Sequence, residues 1–419
     1  MSDGAFERSI LDDGTTVITE HMDSVRSVTV GLWFAVGSRS ELSEEAGMSH
    51  FLEHMMFKGT STKSAADISE AFDRLGAELN AFTGKEYTCY FSRFVDEHLE
   101  DALPLLFEMV VDSVFAEDAI ESEKQVVLEE IARRDDAPDD LVHDVLAGAL
   151  WPGHPLGRPV LGSQDTVASF SRGDALDYVS RHYRTGDLVV AAAGNAAHTR
   201  VLEALGSVMT LEKGGDSHKE TCVPAEPRPL AVVTKDTEQA HICWGVQALH
   251  ANHPDRFALG VLDAILGGGM SSRLFQEIRE KRGLAYAVYS YHSLFRETGS
   301  LAVYAGTRPS NIDQVVGIVR EQTASMASDG VTPDELERAK ESIKGQLVLG
   351  MESTRNRMTR LGKNQVTDSE ILSLDELVER IDAVTADQVR ELAARLFEGP
   401  AALALVGPFD EEEIASRLL

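Results

Sequence analysis

The segment from Gly47 to Thr60 reads GMSHFLEHMMFKGT, and its central part, His50 to His54, is His-Phe-Leu-Glu-His. On an α-helix, side chains at i, i+3 and i+4 project from one patch, so this spacing groups His50, Glu53 and His54. Two neutral imidazoles at that spacing can hold one divalent ion, and the carboxylate between them can act on a water molecule. The pattern predicts a metal site. Zinc is the expected ion, because imidazole and carboxylate ligands with one position left for water are its hydrolytic arrangement.

A further ligand must come from elsewhere in the chain, because two histidines and a water molecule leave zinc one protein ligand short. The stretch ESEKQVVLEEIARRDD, residues 121–136, is predicted to be helical and carries several glutamates. Glu123 and Glu130 are seven residues apart, about two helical turns, and therefore share a face. The spacing alone leaves open which of these two glutamates completes the site.

The composition sets the broad class of the protein. The chain has 419 residues, of which 43% are hydrophobic and 26% charged, as in ordinary globular proteins of two or more domains. No run of about 18 apolar residues is present, so no membrane span is expected. A formal charge of −30 argues against nucleic acid and against anionic membrane surfaces as partners.

The N-terminus and the cysteines indicate a cytoplasmic location. The opening sequence, MSDGAFERSILDDG, is acidic and polar, unlike a signal peptide or an Arg-rich transit peptide. The three cysteines, Cys89, Cys222 and Cys243, are far apart and odd in number, which is typical of a reduced protein without a disulfide framework.

The predicted elements occur twice in the same order: two strands, two helices, two strands, several helices and a closing strand. The second copy begins near residue 229, and it includes predicted helices at 271–283 and 333–365. The fold class is therefore predicted as α+β, with two repeated α/β-roll domains, each a mostly antiparallel sheet packed against helices. The predicted domains are 1–210 and 230–419, joined by a polar linker at 211–229.

The second copy lacks the metal ligands. Aligning Gly76 with Gly283 places Phe257, Gly260 and Val261 at the positions of His50, Glu53 and His54. The helix matching residues 121–136 has Ala339 and Gln346 where the first copy has Glu123 and Glu130. We therefore expect one metal ion per chain, in the N-terminal domain, and a different role for the C-terminal domain.

Three segments, HFLEHMMFKGT, EKQVVLEEI and GGGMSSRLFQEIREKRGLAYAVYSY, together resemble the inverzincin peptidases. That family includes pitrilysin, insulin-degrading enzyme and the mitochondrial processing peptidase, and this chain is most similar to bacterial members resembling the processing peptidase β subunit. The resemblance implies zinc held by His50, His54 and Glu130, with Glu53 as general base. It also implies that Glu123 orients a zinc-ligand histidine.

The same resemblance implies residues that bind the substrate. Arg279 and Tyr286, seven residues apart, match an Arg and a Tyr of the second domain that bind the substrate backbone near the zinc. Asn80 and Ala81 match an edge strand along which relatives bind the peptide as an added β-strand.

Asp140 and Asp144 resemble acidic residues that receive a basic side chain upstream of the cut in processing peptidases. The implied function is a zinc-dependent endopeptidase that cleaves peptides or unfolded, presequence-like segments inside an enclosed chamber. Because the chamber of relatives contains four such domains, the chain is expected to form a homodimer.

Two other functions are compatible with parts of the pattern. A non-catalytic structural or partner subunit of the same fold would typically lose the ligands or the Arg and Tyr pair, and this chain keeps all of them. A zinc hydrolase of non-peptide substrates would satisfy the metal motif but would not need a peptide-binding strand.

Overall fold

The computed structural model describes residues 6–206, 208, 211–214 and 224–418. Cys222 and much of the predicted linker at 211–229 lie outside the described residues. The strands are β1 (Glu7–Ile10), β2 (Thr16–His21), β3 (Ser27–Phe34), β4 (Glu78–Thr83), β5 (Thr88–Val95), β6 (Leu188–Gly194), β7 (Leu230–Thr234), β8 (Ala240–Ala248), β9 (Ala285–Leu294), β10 (Gly299–Thr307) and β11 (Ala401–Gly407). The helices are α1 (Met48–Met55), α2 (Ala65–Arg74), α3 (Leu99–Val111), α4 (Glu117–Asp136), α5 (Pro138–Leu150), α6 (Gln164–Ser169), α7 (Arg172–His182), α8 (His198–Leu205), α9 (Arg256–Leu266), α10 (Ile312–Ser328), α11 (Pro333–Gly350), α12 (Thr354–Val366), α13 (Leu374–Asp382), α14 (Ala386–Phe397) and α15 (Glu411–Leu418).

The strands form two sheets of similar design. The first has the order β1-β2-β6-β3-β5-β4, and only β2 and β6 run parallel. The second has the order β7-β11-β8-β10-β9, and only β7 and β11 run parallel. The predicted α+β class with two mostly antiparallel sheets packed against helices is confirmed. β4 and β9 each end a sheet, and no described strand pairs with their outer sides.

The turns before these two edge strands are also alike. Gly76, before β4, and Gly283, before β9, have φ angles of +59° and +58°. This left-handed conformation favours glycine, because a Cβ atom would clash with the backbone. The alignment of Gly76 with Gly283 therefore has a structural basis.

The described residues form two compact units, each discontinuous in sequence. Unit 1 comprises the described residues of Met1–Ile131, Pro159–Glu220 and Val348–Leu374, and unit 2 those of Ala132–Arg158, Thr221–Leu347 and Asp375–Leu419. Each unit thus includes a helix from the opposite half of the sequence. The predicted boundaries, 1–210 and 230–419, remain a prediction. They assign each half of the sequence to one domain, whereas each unit contains a helix from the other half.

The exchanged helices complete the cores of the units. In unit 1, α12 packs on β2, β3 and β6, where Met358 and Leu361 join the cluster around Trp33. In unit 2, α5 packs on β7, β8 and β11, where Val142 and Leu146 are buried. The opposite face of each sheet carries a larger apolar core, built in unit 1 from α1, α3 and their neighbours.

Two predicted helices differ from the structure. The helix predicted at 333–365 is wrong as a single element, because α11 ends at Gly350 and Ser353 caps a new helix by accepting the Asn356 N–H. Within the helix predicted at 271–283, the segment Phe275–Glu280 is a π-helix. Among the described residues, no helix is both long enough and apolar enough to cross a bilayer.

Candidate metal centre

The helix that carries the histidine pair, α1, follows a tight turn. Gly47 precedes the helix with a φ of +97°, and a Cβ atom there would lie 2.7 Å from the carbonyl oxygen of Leu161. The apolar side of α1 buries Phe51, Leu52 and Met55 in the core of unit 1. Because those side chains hold one face inward, the face carrying the two histidines is fixed in orientation.

The second helix of the site, α4, supplies the acidic face predicted from the seven-residue spacing. Ile120, Val127 and Ile131 anchor it in the same core. Glu123 is buried, whereas Glu130 is half-buried. The two glutamates therefore share a face but have different surroundings.

Glu130 and the two histidines converge on one point. Glu130 Oε2 lies 3.7 Å from His50 Nε2 and 3.6 Å from His54 Nε2. Ligand atoms about 2.0–2.1 Å from a tetrahedral zinc ion are separated by about 3.4 Å, so these two distances are close to those the ion needs. Among the described residues, these three form the one group of three or more such side chains whose ligand atoms all lie within 4.8 Å of one another.

The polar atoms of this group suit a cation. Glu130 Oε2 is buried and has no hydrogen-bond partner within the described part of the chain. Burial lowers the pKa of His50 to about 4, and the neighbouring His54 imidazole adds to the shift, so the His50 imidazole is neutral near pH 7. Zinc takes imidazole nitrogens and carboxylate oxygens as donors, and Glu130 Oε2 has no other hydrogen-bond partner among the described residues, so the residues present fit the ion.

Glu123 contacts the other side of the His54 ring. His54 Nδ1 lies 2.8 Å from Glu123 Oε1. An ionised carboxylate only accepts hydrogen bonds, so this contact assigns the imidazole proton to Nδ1 and leaves the Nε2 lone pair facing Glu130. The geometry matches the orienting role that the resemblance implies for Glu123, and that role remains a prediction.

Glu53 lies beside the group without joining it. Thr83, on β4, donates its hydroxyl to Glu53 Oε2 at 2.6 Å. Burial raises the pKa of Glu53, and the Thr83 hydrogen bond opposes this shift. Sequence reasoning missed Thr83, although it ends the strand segment LNAFT that contains Asn80 and Ala81.

A cavity of about 230 Å³ opens at this site. Its lining includes Glu53 and His54 on one side and Asn80 and Ala81 of β4 on the other. β4 is an edge strand, so no described strand pairs with its outer side, and the Ala81 N–H donates to Asn80 Oδ1 at 2.8 Å. The structure thus places the predicted peptide-binding residues next to the predicted general base.

Arg279 and Tyr286 lie together in unit 2. The Arg279 guanidinium carbon is 4.9 Å from the centre of the Tyr286 ring and 4.9 Å from that of Phe275. Tyr286 is 80% exposed although it is aromatic. Arg279 belongs to the π-helix Phe275–Glu280, and such irregular turns are frequent at functional sites.

Asp140 and Asp144 both lie on α5, in unit 2, and their surroundings differ. Asp144 Oδ2 accepts a hydrogen bond from Arg134 Nη1 at 2.8 Å. Asp140 is exposed. Asp144 is thus already partnered by a guanidinium, which leaves Asp140 as the better candidate for a basic side chain.

In unit 2, the residues equivalent to those of the candidate metal site line a cavity. Phe257, Gly260, Ala339 and Gln346, which the internal alignment equates with His50, Glu53, Glu123 and Glu130, all line a space of about 600 Å³. A Cβ atom added to Gly260 would meet nothing within 4 Å. Gly260 and Ala339 are smaller than the glutamates at the equivalent positions, and open space remains beside Gly260.

The fold and the donor set together are those of a zinc-type metallohydrolase, in which two imidazoles and a carboxylate surround one point beside a second carboxylate. Comparison with known families identifies the chain more narrowly. Residues 16–164 match the model described as insulinase (peptidase family M16), and residues 169–343 match that of the peptidase M16 inactive domain. The chain belongs to peptidase family M16, which confirms the resemblance.

Full-length relatives support this membership. An uncharacterized zinc protease of Bacillus subtilis (strain 168) is 43% identical, covering 96% of this chain and 98% of that protein. Another, from Streptomyces coelicolor, is 42% identical, covering 99% of this chain and 92% of that protein. A solved structure from Pseudomonas fluorescens, described as a peptidase M16 inactive domain, has the same fold, with a TM-score of 0.89 at 22% identity, covering 97% of this chain and 98% of that one.

Proposed function

We propose that this chain is a zinc-dependent endopeptidase that cleaves peptides or unfolded, presequence-like segments. The observation that carries the proposal is the convergence of Glu130 Oε2 on the Nε2 atoms of His50 and His54, at 3.7 and 3.6 Å. The names of the two bacterial relatives, both zinc proteases, support the choice of ion and of reaction.

His50, His54 and Glu130 would hold the ion, and zinc supplies Lewis acidity to the scissile carbonyl and lowers the pKa of water. The chain's own contribution is orientation. The Glu123 carboxylate keeps the His54 proton on Nδ1, and the apolar face of α1 holds both imidazoles toward Glu130.

Glu53 moves the protons of the reaction. Its carboxylate accepts a proton from water as that water attacks the peptide carbonyl, and then donates it to the leaving amine nitrogen. The Thr83 hydroxyl fixes one oxygen of the carboxylate, which leaves the other for water.

The substrate binds as an extended strand along the edge of β4 at Asn80 and Ala81. The guanidinium of Arg279 and the phenol of Tyr286 donate to the substrate backbone, where negative charge grows on the carbonyl oxygen. Asp140 pairs with a basic side chain near the cut. The homodimer and the enclosed chamber rest on the family resemblance alone.

Peptide hydrolysis by the zinc-loaded protein tests the proposal directly. A mixed peptide library is incubated with the wild type and with Glu53→Gln, and the products are identified by mass spectrometry. Glu129→Gln is the matched control, because Glu129 is an exposed glutamate on α4. Wild type and Glu129→Gln should cleave, and Glu53→Gln should lose about 10²–10⁴-fold in rate.

Two outcomes would contradict the assignment. Cleavage that persists in Glu53→Gln would remove the general base from the mechanism, and no cleavage by any variant would favour a non-catalytic subunit. Metal analysis of the purified protein and its mass in solution address the ion and the dimer separately.

A further inference from the structure

Lys58 lies in the segment FKGT, immediately after the helix that carries the histidines, and the mechanism above gives it no role. The backbone is fixed on both sides of it. The Lys58 N–H donates to the Met55 carbonyl oxygen at 3.1 Å, and the Gly59 carbonyl oxygen accepts the Val114 N–H at 3.2 Å. Gly59 has a φ of +130°, which favours glycine at that turn. The starting point of the Lys58 side chain is therefore well defined.

The Lys58 side chain ends on Glu123. Lys58 Nζ lies 2.5 Å from Glu123 Oε2, while the other oxygen, Oε1, accepts the hydrogen bond from His54 Nδ1 at 2.8 Å. Each oxygen of this carboxylate thus has its own donor. The Glu123 side chain is only 5% exposed, so little solvent is available to replace either donor.

A carboxylate held at one oxygen can rotate about its last side-chain bond, whereas one held at both oxygens cannot. The two donors come from residues four positions apart, one on α1 and one just beyond its end. The acceptor comes from α4. The three side chains therefore connect the two segments that supply the metal ligands.

We propose that Lys58 is a positioning residue for the metal centre, acting through Glu123. Its ammonium group holds the Glu123 carboxylate in the orientation that keeps the His54 proton on Nδ1 and directs Nε2 toward the ion. This inference rests on the proposed zinc site. It adds to that site a residue that neither touches the ion nor binds substrate.

The position of Lys58 also allows a different role, substrate binding, which the experiment must distinguish from the positioning of Glu123. Lys58 also lines the 230 Å³ cavity with Glu53 and Asn80. An ammonium group there would attract a carboxylate of the substrate. The 2.5 Å contact favours Glu123 as its partner, because an ion pair that is already formed leaves less charge for a ligand.

Zinc affinity, measured by competition with a chromogenic chelator, is the readout, because it does not depend on activity. Lys58→Met keeps the apolar stem and removes the charge, and it should weaken zinc binding about 10- to 100-fold, the usual loss when a metal ligand loses an outer partner. Lys58→Arg should restore most of the affinity.

Lys63→Met is the matched control. Lys63 Nζ pairs with Glu108 Oε2 at 2.7 Å, and its side chain is 31% exposed, compared with 34% for Lys58. Both ion pairs belong to unit 1, but the Lys63 pair does not contact the metal ligands. Its loss should leave zinc affinity unchanged.

A double-mutant cycle with Glu123→Gln tests the route of the effect. If Lys58 acts through Glu123, the losses in zinc affinity will be strongly non-additive, since Glu123→Gln already removes the partner. Additive losses would overturn the proposal. So would an unchanged zinc affinity in Lys58→Met accompanied by a raised KM for peptides, which would place Lys58 against the substrate.

The zinc-binding test of Lys58 and the peptide-cleavage test of the proposed function can fail independently of each other. If the chain hydrolyses no peptide, the zinc titrations still report on Lys58. If Lys58→Met does not fold, as judged by circular dichroism of the zinc-free protein, the double variant Lys58→Gln/Glu123→Gln is compared with Glu123→Gln alone. The two should bind zinc equally well if Lys58 acts through Glu123, and a further loss of affinity in the double variant would contradict the proposal.

Discussion

The indole of Trp33 occupies the space that a side chain at residue 362 would need: a Cβ atom on Gly362 would lie 2.1 Å from Trp33 Nε1. Trp33 belongs to β3, and Gly362 belongs to α12, more than 300 residues later in the sequence. The same indole donates its N–H to Met358 Sδ at 3.2 Å. Glycine at 362 therefore lets α12 lie against the first sheet.

Gly362→Ala should destabilise unit 1 by about 1–3 kcal/mol, the usual cost of overpacking a close-packed core. Thermal or urea unfolding followed by circular dichroism measures the change. The indole is large and enclosed, with Trp33 fully buried, so the clash will not be relieved by a simple side-chain movement. Gly345→Ala on α11 is the control, since a Cβ atom there meets nothing within 4 Å. That variant should be neutral or more stable by up to about 1 kcal/mol.

Glu130→Gln should weaken zinc binding by more than about 100-fold, because it removes the charge of a predicted metal ligand. Losing a residue that only contacts a ligand usually costs about 10- to 100-fold. Glu129→Gln, its exposed neighbour, should bind zinc like the wild type. Isothermal titration at a fixed pH would measure both. Equal affinities for the two variants would remove Glu130 from the ligand set.

Removal of zinc by a chelator should abolish peptide hydrolysis but leave the protein folded. The two ligand helices are anchored by apolar residues of the unit 1 core, including Phe51 and Val127, independently of any ion. The far-ultraviolet circular dichroism spectrum should therefore persist, with a lower midpoint of thermal unfolding. A cooperative loss of helix on chelation would instead show that the metal is needed for folding.

Thr83→Val should lower kcat about 10-fold with little change in KM, because the variant loses the hydrogen bond that orients Glu53 and keeps the size of the side chain. Thr83→Ser retains the hydroxyl and should recover most of the rate. Steady-state kinetics on a peptide identified from the library distinguish the two parameters. A rise in KM alone would mean that Thr83 contacts the substrate.

The metal-free protein should lose stability as the pH falls from 6.5 toward 4, partly because of His182. Burial and the neighbouring Arg181 lower the pKa of His182 from 6.5 to about 4. The unfolded chain therefore binds a proton in this range that the folded chain does not, and protonation favours unfolding. In His182→Gln, the midpoint of thermal unfolding should fall less steeply between pH 6.5 and pH 4. Parallel curves for the two proteins would contradict this contribution.

Local patterns predicted most of the regular elements. The runs LVVAAAG, GSLAVYAGT and AALALVG coincide with β6, β10 and β11, because strands buried on both faces require continuous apolar sequence. The acidic stretch 121–136, predicted to be helical, lies within α4 (Glu117–Asp136). β1 was missed because four exposed or half-exposed residues carry little pattern.

The sequence by itself determined the repeat, the loss of ligands in its second copy, and the set of side chains from which a metal site could be built. These properties depend on residue type and on spacing within a single helix or strand, which 3.6-residue and 2-residue periods fix. Only the tertiary structure decided that Glu130 faces both imidazoles, while the Glu123 carboxylate contacts His54 Nδ1 through one oxygen and Lys58 Nζ through the other. It also decided that α5 and α12 are exchanged between the units. Such relationships join residues of distant elements, and they depend on how whole helices pack, which no local period encodes.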